Sequence, residues 1–249
     1  MHWTVTDRTA TIVMPTGTGK TDTMLSILVT RPCERLLVVV PTDALRTQLT
    51  DKFLTLGVLK QTGSYVPTQV ERENNFQGAL LSESAERPVV CSLEHIPQTV
   101  AEVDDLVQRA QVIVTTSNIA GQCSTEVQER LAESIPYLFI DEAHHVEAPT
   151  WRRFKERFHE RQVVQFTATP FREDDQPLDG DIVYKYPLLK AQREGYFRPI
   201  RFESVLSFDP TRADEAIVAK AIERLREELH LGHIVMARVD SRAGSPDEA

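Results

Sequence analysis

Short, nearly continuous apolar runs alternate along this chain with stretches in which apolar residues return every three or four positions. The runs fall at 11–14, 35–40, 88–91, 110–114, Tyr137–Ile140 and 163–166. Such runs predict strands covered on both faces, as in the middle of a parallel sheet. The run at 35–40 is ended by Pro41. Between the runs, the spacing predicts a helix from about Lys20 to Val29 and another carrying Leu45, Leu49, Phe53 and Leu56. A third helix begins or continues at 103–107. Strands alternating with helices predict βαβ units, hence an α/β fold with a parallel sheet flanked by helices. Gly63, Pro67, Asn74, Asn75 and Gly78 interrupt any period in 62–87, which reads as a loop-rich excursion on the sheet's rim.

Beyond about residue 205 the pattern restarts. Asp209-Pro210-Thr211 reads as a linker, and Ile217, Val218, Ala221, Ile222, Leu225 and Leu229 form one helical stripe. Gly232 suits the end of that helix, 233–239 reads as a strand, and 244–249 as a disordered polar tail. The expected organisation is one complete domain over 1–205, then the linker, helix and first strand of a second domain over 206–249. Both ends of the chain look trimmed.

Composition adds exclusions. The 249 residues are 41% hydrophobic and 26% charged, ordinary for a globular protein. No apolar run approaches the roughly 20 residues that cross a bilayer, and the first residues lack a signal-peptide pattern. Cys33, Cys91 and Cys123 form no C-x-x-C pair, so neither a disulfide framework nor a zinc site is expected. A cytoplasmic location is the default. The net charge of −9 gives no support to passive nucleic-acid binding, so any such partner must be argued from motifs.

Two motifs carry chemistry. Pro15-Thr16-Gly17-Thr18-Gly19-Lys20-Thr21 lies between a predicted strand and a predicted helix. A helix N-terminus aims several N–H groups and a positive dipole end at one point, which suits a phosphate. Gly17 and Gly19 admit positive φ, Lys20 can reach the β- and γ-phosphates, and Thr21 can ligate Mg²⁺. The strict form of the motif asks for glycine where this chain has Met14; the competing reading is a tight glycine turn with an incidental Lys-Thr. The second motif, Asp141-Glu142-Ala143-His144-His145, follows the run at Tyr137–Ile140. Carboxylates at the C-terminal end of such a strand lie where open α/β sheets bind ligands. Asp141 can hold Mg²⁺, and Glu142 can orient and deprotonate an attacking water. An acidic helix cap is the competing reading. No H-E-x-x-H or C-x-x-C completes a metal set around His144 and His145.

With these residues in order, the chain resembles superfamily 2 helicases over 10–205, and more weakly over 206–242. Pro15 to Thr21 matches motif I and Asp141-Glu142-Ala143-His144 matches motif II in its DEAH form. Val38 to Leu45 is similar to motif Ia, Val112 to Thr116 to motif Ib, and Phe166-Thr167-Ala168-Thr169-Pro170 to motif III. The resemblance implies a RecA-like fold and an ATP- and Mg²⁺-dependent motor on DNA or RNA. It implies strand-backbone contacts at Thr42 and Thr116, and coupling of ATP state to movement through Thr167 and Thr169, with His144 as their partner. Phe171 to Asp174, Tyr184 to Leu188 and Ala191 to Tyr196 are similar to restriction-enzyme motor subunits. Family members place an adenine-reading glutamine upstream of motif I; none of the residues before Ala10 is glutamine. The second RecA-like domain, which carries the arginine finger in this superfamily, is expected as a missing partner. The isolated chain is therefore expected to hydrolyse ATP poorly. A nucleotide-gated DNA-binding module without efficient hydrolysis is the alternative; an unrelated phosphate-loop kinase is disfavoured by the acidic pair. Trp151, Phe154 and Phe158 recur at helical spacing, which favours a packed aromatic face over a nucleic-acid surface.

Overall fold

The computed structural model describes residues 8–30, 33–59, 81, 85–145, 149–171, 178–197, 204–205 and 213–227. Most of the excursion at 62–87 lies outside them, as do the linker at 209–211, the strand at 233–239 and the tail. Two compact units divide the chain, 1–198 and 199–249.

Among the described residues, unit 1 is built on seven parallel strands. They are β1 (Ala10–Val13), β2 (Leu36–Val40), β3 (Val90–Ser92), β4 (Val112–Thr116), β5 (Tyr137–Ile140), β6 (Gln162–Thr167) and β7 (Asp181–Lys185), in the spatial order β3-β4-β2-β5-β6-β1-β7. Around them lie α1 (Lys20–Thr30), α2 (Asp43–Thr55), α3 (Val100–Arg109), α4 (Ser117–Gln122), α5 (Thr125–Ser134), α6 (Pro149–Glu156) and α7 (Leu188–Arg193).

The strands are apolar at consecutive positions because both faces are buried. On one face Leu36, Val38, Val40, Val114, Phe139 and Phe166 meet Met24 and Leu25 of α1 and Leu49 and Phe53 of α2. On the other, Leu37, Val39, Ile113, Leu138 and Ile140 meet Val103 of α3, Leu131 of α5 and Trp151 and Phe154 of α6. Trp151, Phe154 and Phe158 are all at most 3% exposed, with Trp151 stacked on Phe154 at 5.3 Å between ring centroids. The spacing of these aromatics thus serves packing.

The strand expected at 110–114 runs instead over Val112–Thr116. Ala110 closes α3 by donating its N–H to the Leu106 carbonyl, and the β-branched Thr115 and Thr116 extend the ladder beside Val39 and Val40. In unit 2, α8 (Ala213–Glu227) forms where the apolar stripe predicts a helix, with Ile217, Val218 and Ile222 exposed.

Candidate nucleotide and strand-binding edge

Because the strands all run the same way, every loop that follows one emerges at the same edge of the sheet. Residues far apart in sequence therefore line up by strand order. Thr116 ends β4, Thr42 follows β2, Asp141 and Glu142 follow β5, Thr167 ends β6, and the phosphate-loop segment 14–19 follows β1.

The loop has the backbone a phosphate cradle needs. Gly17 and Gly19 hold φ of 82° and 93°, a region costly for a side chain. A Cβ at Gly17 would meet nothing within 4 Å, so its requirement is conformational; one at Gly19 would meet Asp22 Oδ2 at 3.6 Å. Thr18 is buried, and its hydroxyl donates to the Pro15 carbonyl at 2.6 Å, bracing the turn from inside. Thr16 is exposed at the tip, and Thr21 is half-buried in the first turn of α1. Met14 fits where the strict motif has glycine because its side chain joins the core. Its N–H donates to the Thr167 carbonyl at 2.8 Å.

Lys20 and Glu142, separated by 122 positions, are joined by an ion pair and hydrogen bond. Their side chains are only 8% and 17% exposed, so the pair is largely withdrawn from water. Glu142 has φ of 48°, a left-handed conformation that is strained for a non-glycine residue and recurs at functional sites. Its N–H donates to Asp141 Oδ1 at 3.0 Å. Asp141 is buried, and that burial pushes its carboxyl up to about 6; the Lys20 charge opposes the rise and Glu142 adds to it. A desolvated carboxylate beside a second carboxylate and the phosphate loop is suited to a hard divalent cation.

His144 Nδ1 lies 2.9 Å from Thr167 Oγ1 and 3.5 Å from Glu142 Oε2. The Thr167 hydroxyl donates to the Thr169 carbonyl at 2.6 Å, which leaves its oxygen to accept a proton from His144 Nδ1. Thr169 N–H also donates to Thr167 Oγ1, at 3.2 Å. Thr167 is fully buried and Thr169 exposed, and these two bonds join the predicted coupling residues to each other.

Thr42 and Thr116 are both helix N-caps, of α2 and α4, accepting from the N–H of Leu45 and Ile119 at 3.3 Å. Thr42 is exposed, whereas Thr116 is 4% exposed. Sequence reasoning missed Arg46, which lies one turn into α2 and is 8% exposed at this edge; its signal was an arginine three residues after Asp43 and four after the capping threonine. A cavity of about 610 Å³ lies on the α6 side of the sheet, lined by Thr9, Trp151, Phe158, Gln165 and Leu178 among others. None of the predicted site residues lines it.

A parallel sheet flanked by helices, with a phosphate-loop turn after β1 and Asp-Glu-Ala-His after β5, defines the RecA-like domain of a superfamily 2 helicase. More narrowly, the profile of the ResIII family, the type III restriction enzyme res subunit, matches residues 2–172, and the chain belongs to that family. No curated protein sequence matches the chain. Among solved structures, the UvsW helicase from bacteriophage T4 is 16% identical, with a TM-score of 0.40 over 66% of this chain and 48% of that one. A second T4 UvsW structure is 15% identical, with a TM-score of 0.43 over 72% and 31%. The Hef helicase domain of Pyrococcus furiosus is 22% identical, with a TM-score of 0.40 over 66% and 31%. The chain thus spans less than half of each of these structures, and its membership rests on the family match. Among the described residues, no helix is long and apolar enough to cross a membrane.

Proposed function

We propose that this chain is the nucleotide-binding part of an ATP-dependent nucleic-acid motor, with DNA the favoured track. The observation that carries the reading is the convergence of Lys20, Asp141 and Glu142 at one edge of the sheet. The phosphate loop and α1 N-terminus offer N–H donors to phosphate oxygens, and Lys20 exchanges its bond to Glu142 for one to the nucleotide. Thr21 and Asp141 would hold Mg²⁺. When bound, the ion offsets the charge that moves during phosphoryl transfer. Glu142, released from Lys20, accepts a proton from the attacking water. His144 holds Thr167 and stands beside Glu142, so a change at the carboxylate reaches motif III through one hydrogen bond. At the other end of the edge, the exposed Thr42 offers its hydroxyl proton to a strand phosphate. Thr116 acts by fixing the turn that presents Ser117 and Asn118 there.

The test is Mg-ATP hydrolysis by the chain with and without single- and double-stranded DNA and RNA, beside Glu142→Gln and Lys20→Ala. Turnover stimulated by one nucleic acid and lost in Glu142→Gln supports a motor and names its track. Magnesium-dependent ATP binding without turnover, lost in Lys20→Ala, supports the nucleotide-gated module instead. Absence of ATP binding would sink both.

A further inference from the structure

Arg46 is an arginine more than nine-tenths buried whose bonding is incomplete. Nη1 donates to Asp43 Oδ1 at 2.7 Å. Nη2 comes only within 3.9 Å of Glu94 Oε1, too far for a hydrogen bond. Nε is buried without a partner. An arginine carries five N–H donors, and a single hydrogen bond to one carboxylate leaves most of them idle. The two acids are themselves exposed, with side chains 78% and 64% accessible, so solvent screens much of what they contribute.

The position of this cation gives it a direction. In the sheet order β3-β4-β2, Ser92 pairs with Val114, and Val40 with Thr116. Extending that register sets Glu94, just past β3, level with Thr116 at the end of β4. Leu93 keeps the two segments together, donating to the Val114 carbonyl at 2.9 Å and accepting from the Thr115 hydroxyl at 3.3 Å. Arg46 starts on α2, one turn from Thr42, and reaches toward Glu94, so it spans the edge from the end of β2 to the end of β3.

We propose that Arg46 is a contact for a backbone phosphate of the bound nucleic-acid strand, held ready by Asp43 and Glu94, and that the strand's path continues past Thr42 toward the end of β3. This rests on the reading of the protein as a nucleic-acid motor. A phosphodiester offers two oxygens to the guanidinium fork, which suits arginine's idle donors better than either single carboxylate contact does. Asp43 and Glu94 keep the buried charge compensated in the free protein. They also weaken the attraction, so removing one of them strengthens binding.

The experiment measures binding of fluorescein-labelled single-stranded oligothymidylate to the full chain by anisotropy at several salt concentrations, with a ribonucleotide oligomer of the same length in parallel. Wild type is compared with Arg46→Gln, Arg46→Lys and Glu94→Gln, and each variant's thermal unfolding is followed. One lost phosphate contact lowers the magnitude of the log K against log salt slope by about 0.7 for a single strand. Arg46→Gln is expected to show that drop and several-fold weaker binding at low salt. Arg46→Lys is expected to restore the slope, because the charge remains. Glu94→Gln, an exposed substitution, is expected to tighten binding several-fold. A folded Arg46→Gln with the wild-type slope overturns the proposal, since a purely structural arginine changes unfolding and not the slope. If Arg46→Gln does not fold, an unchanged affinity in Glu94→Gln overturns it. Failure of wild type to bind either oligomer defeats the motor reading itself, and this proposal with it.

Discussion

Asp141 is the residue whose placement costs the fold most plainly. Burial raises its carboxyl to about 6, from an ordinary value near 3.8. Between those two pH values the folded state holds more protons than the unfolded one, so stability falls as pH rises through that window. Above pH 6 the folded chain carries the full penalty, about 3 kcal/mol; below about pH 4 it carries none. Asp141→Asn is therefore expected to unfold at a higher temperature than wild type at pH 7.5, and at a similar one at pH 4. Differential scanning calorimetry of the metal-free chain measures this, and equal melting points at pH 7.5 would refute it. The same variant should lose magnesium-dependent nucleotide binding. The residues of this site were legible in the sequence where their chemistry sits in contiguous letters, as in the loop at Pro15 to Thr21 and the Asp-Glu pair. Arg46 and the strained backbone of Glu142 were not, because burial and φ are properties of the packed chain.

Elements were legible in proportion to their burial. The runs that became β2, β4 and β5 are mostly apolar because helices cover both faces. β7 gave no such signal: four of its five residues are exposed, and among the described residues it pairs with β1 alone, at the sheet's edge. α5 was missed although Val127, Leu131 and Ala132 are buried, because its remaining positions are charged or polar and the apolar face is narrow. The turn into β7 is nonetheless tightly specified. Gly180 has φ of 99°, and a Cβ there would stand 2.5 Å from the Thr9 carbonyl that accepts the Asp181 N–H. Gly180→Ala is expected to destabilise by about 2–4 kcal/mol, combining backbone strain with the overlap, as read by urea unfolding. In α6, Phe154 is fully buried between Trp151 and Phe158. Phe154→Ala should cost about 3–5 kcal/mol and still leave Lys20, Asp141 and Glu142 able to bind nucleotide below the new melting temperature. Loss of binding in a folded variant would instead tie α6 to the site.

For the whole molecule the governing quantity is charge. A chain of net charge −9 cannot hold a polyanion through a broad basic surface. On the proposed reading its grip comes from few points, helix N-termini, hydroxyls and Arg46. One phosphate neutralised by Arg46 gives a slope near −0.7, so single-strand affinity should fall only about 3-fold between 50 and 200 mM salt. A fall of a hundredfold or more would place most of the binding on cations away from this edge. The composition suggested a soluble globular protein and the motifs a motor, but the order in which strands lie side by side, and hence which motifs become neighbours, is set by long-range pairing. Single-sequence periodicity carries no information about that order.

The bond between Lys20 and Glu142 also changes what a familiar experimental tool does. Glu142→Gln is meant to block turnover and leave nucleotide bound, which assumes that affinity is untouched. On the proposed reading the same carboxylate competes for the lysine that meets the phosphates, so the wild-type apparent affinity is the intrinsic one multiplied by the fraction of molecules with that lysine released. Glu142→Gln weakens the rival and should bind Mg-ATP several-fold more tightly than wild type in titration calorimetry. Occupancies measured with such a trapped variant would then overstate how often the working protein carries nucleotide.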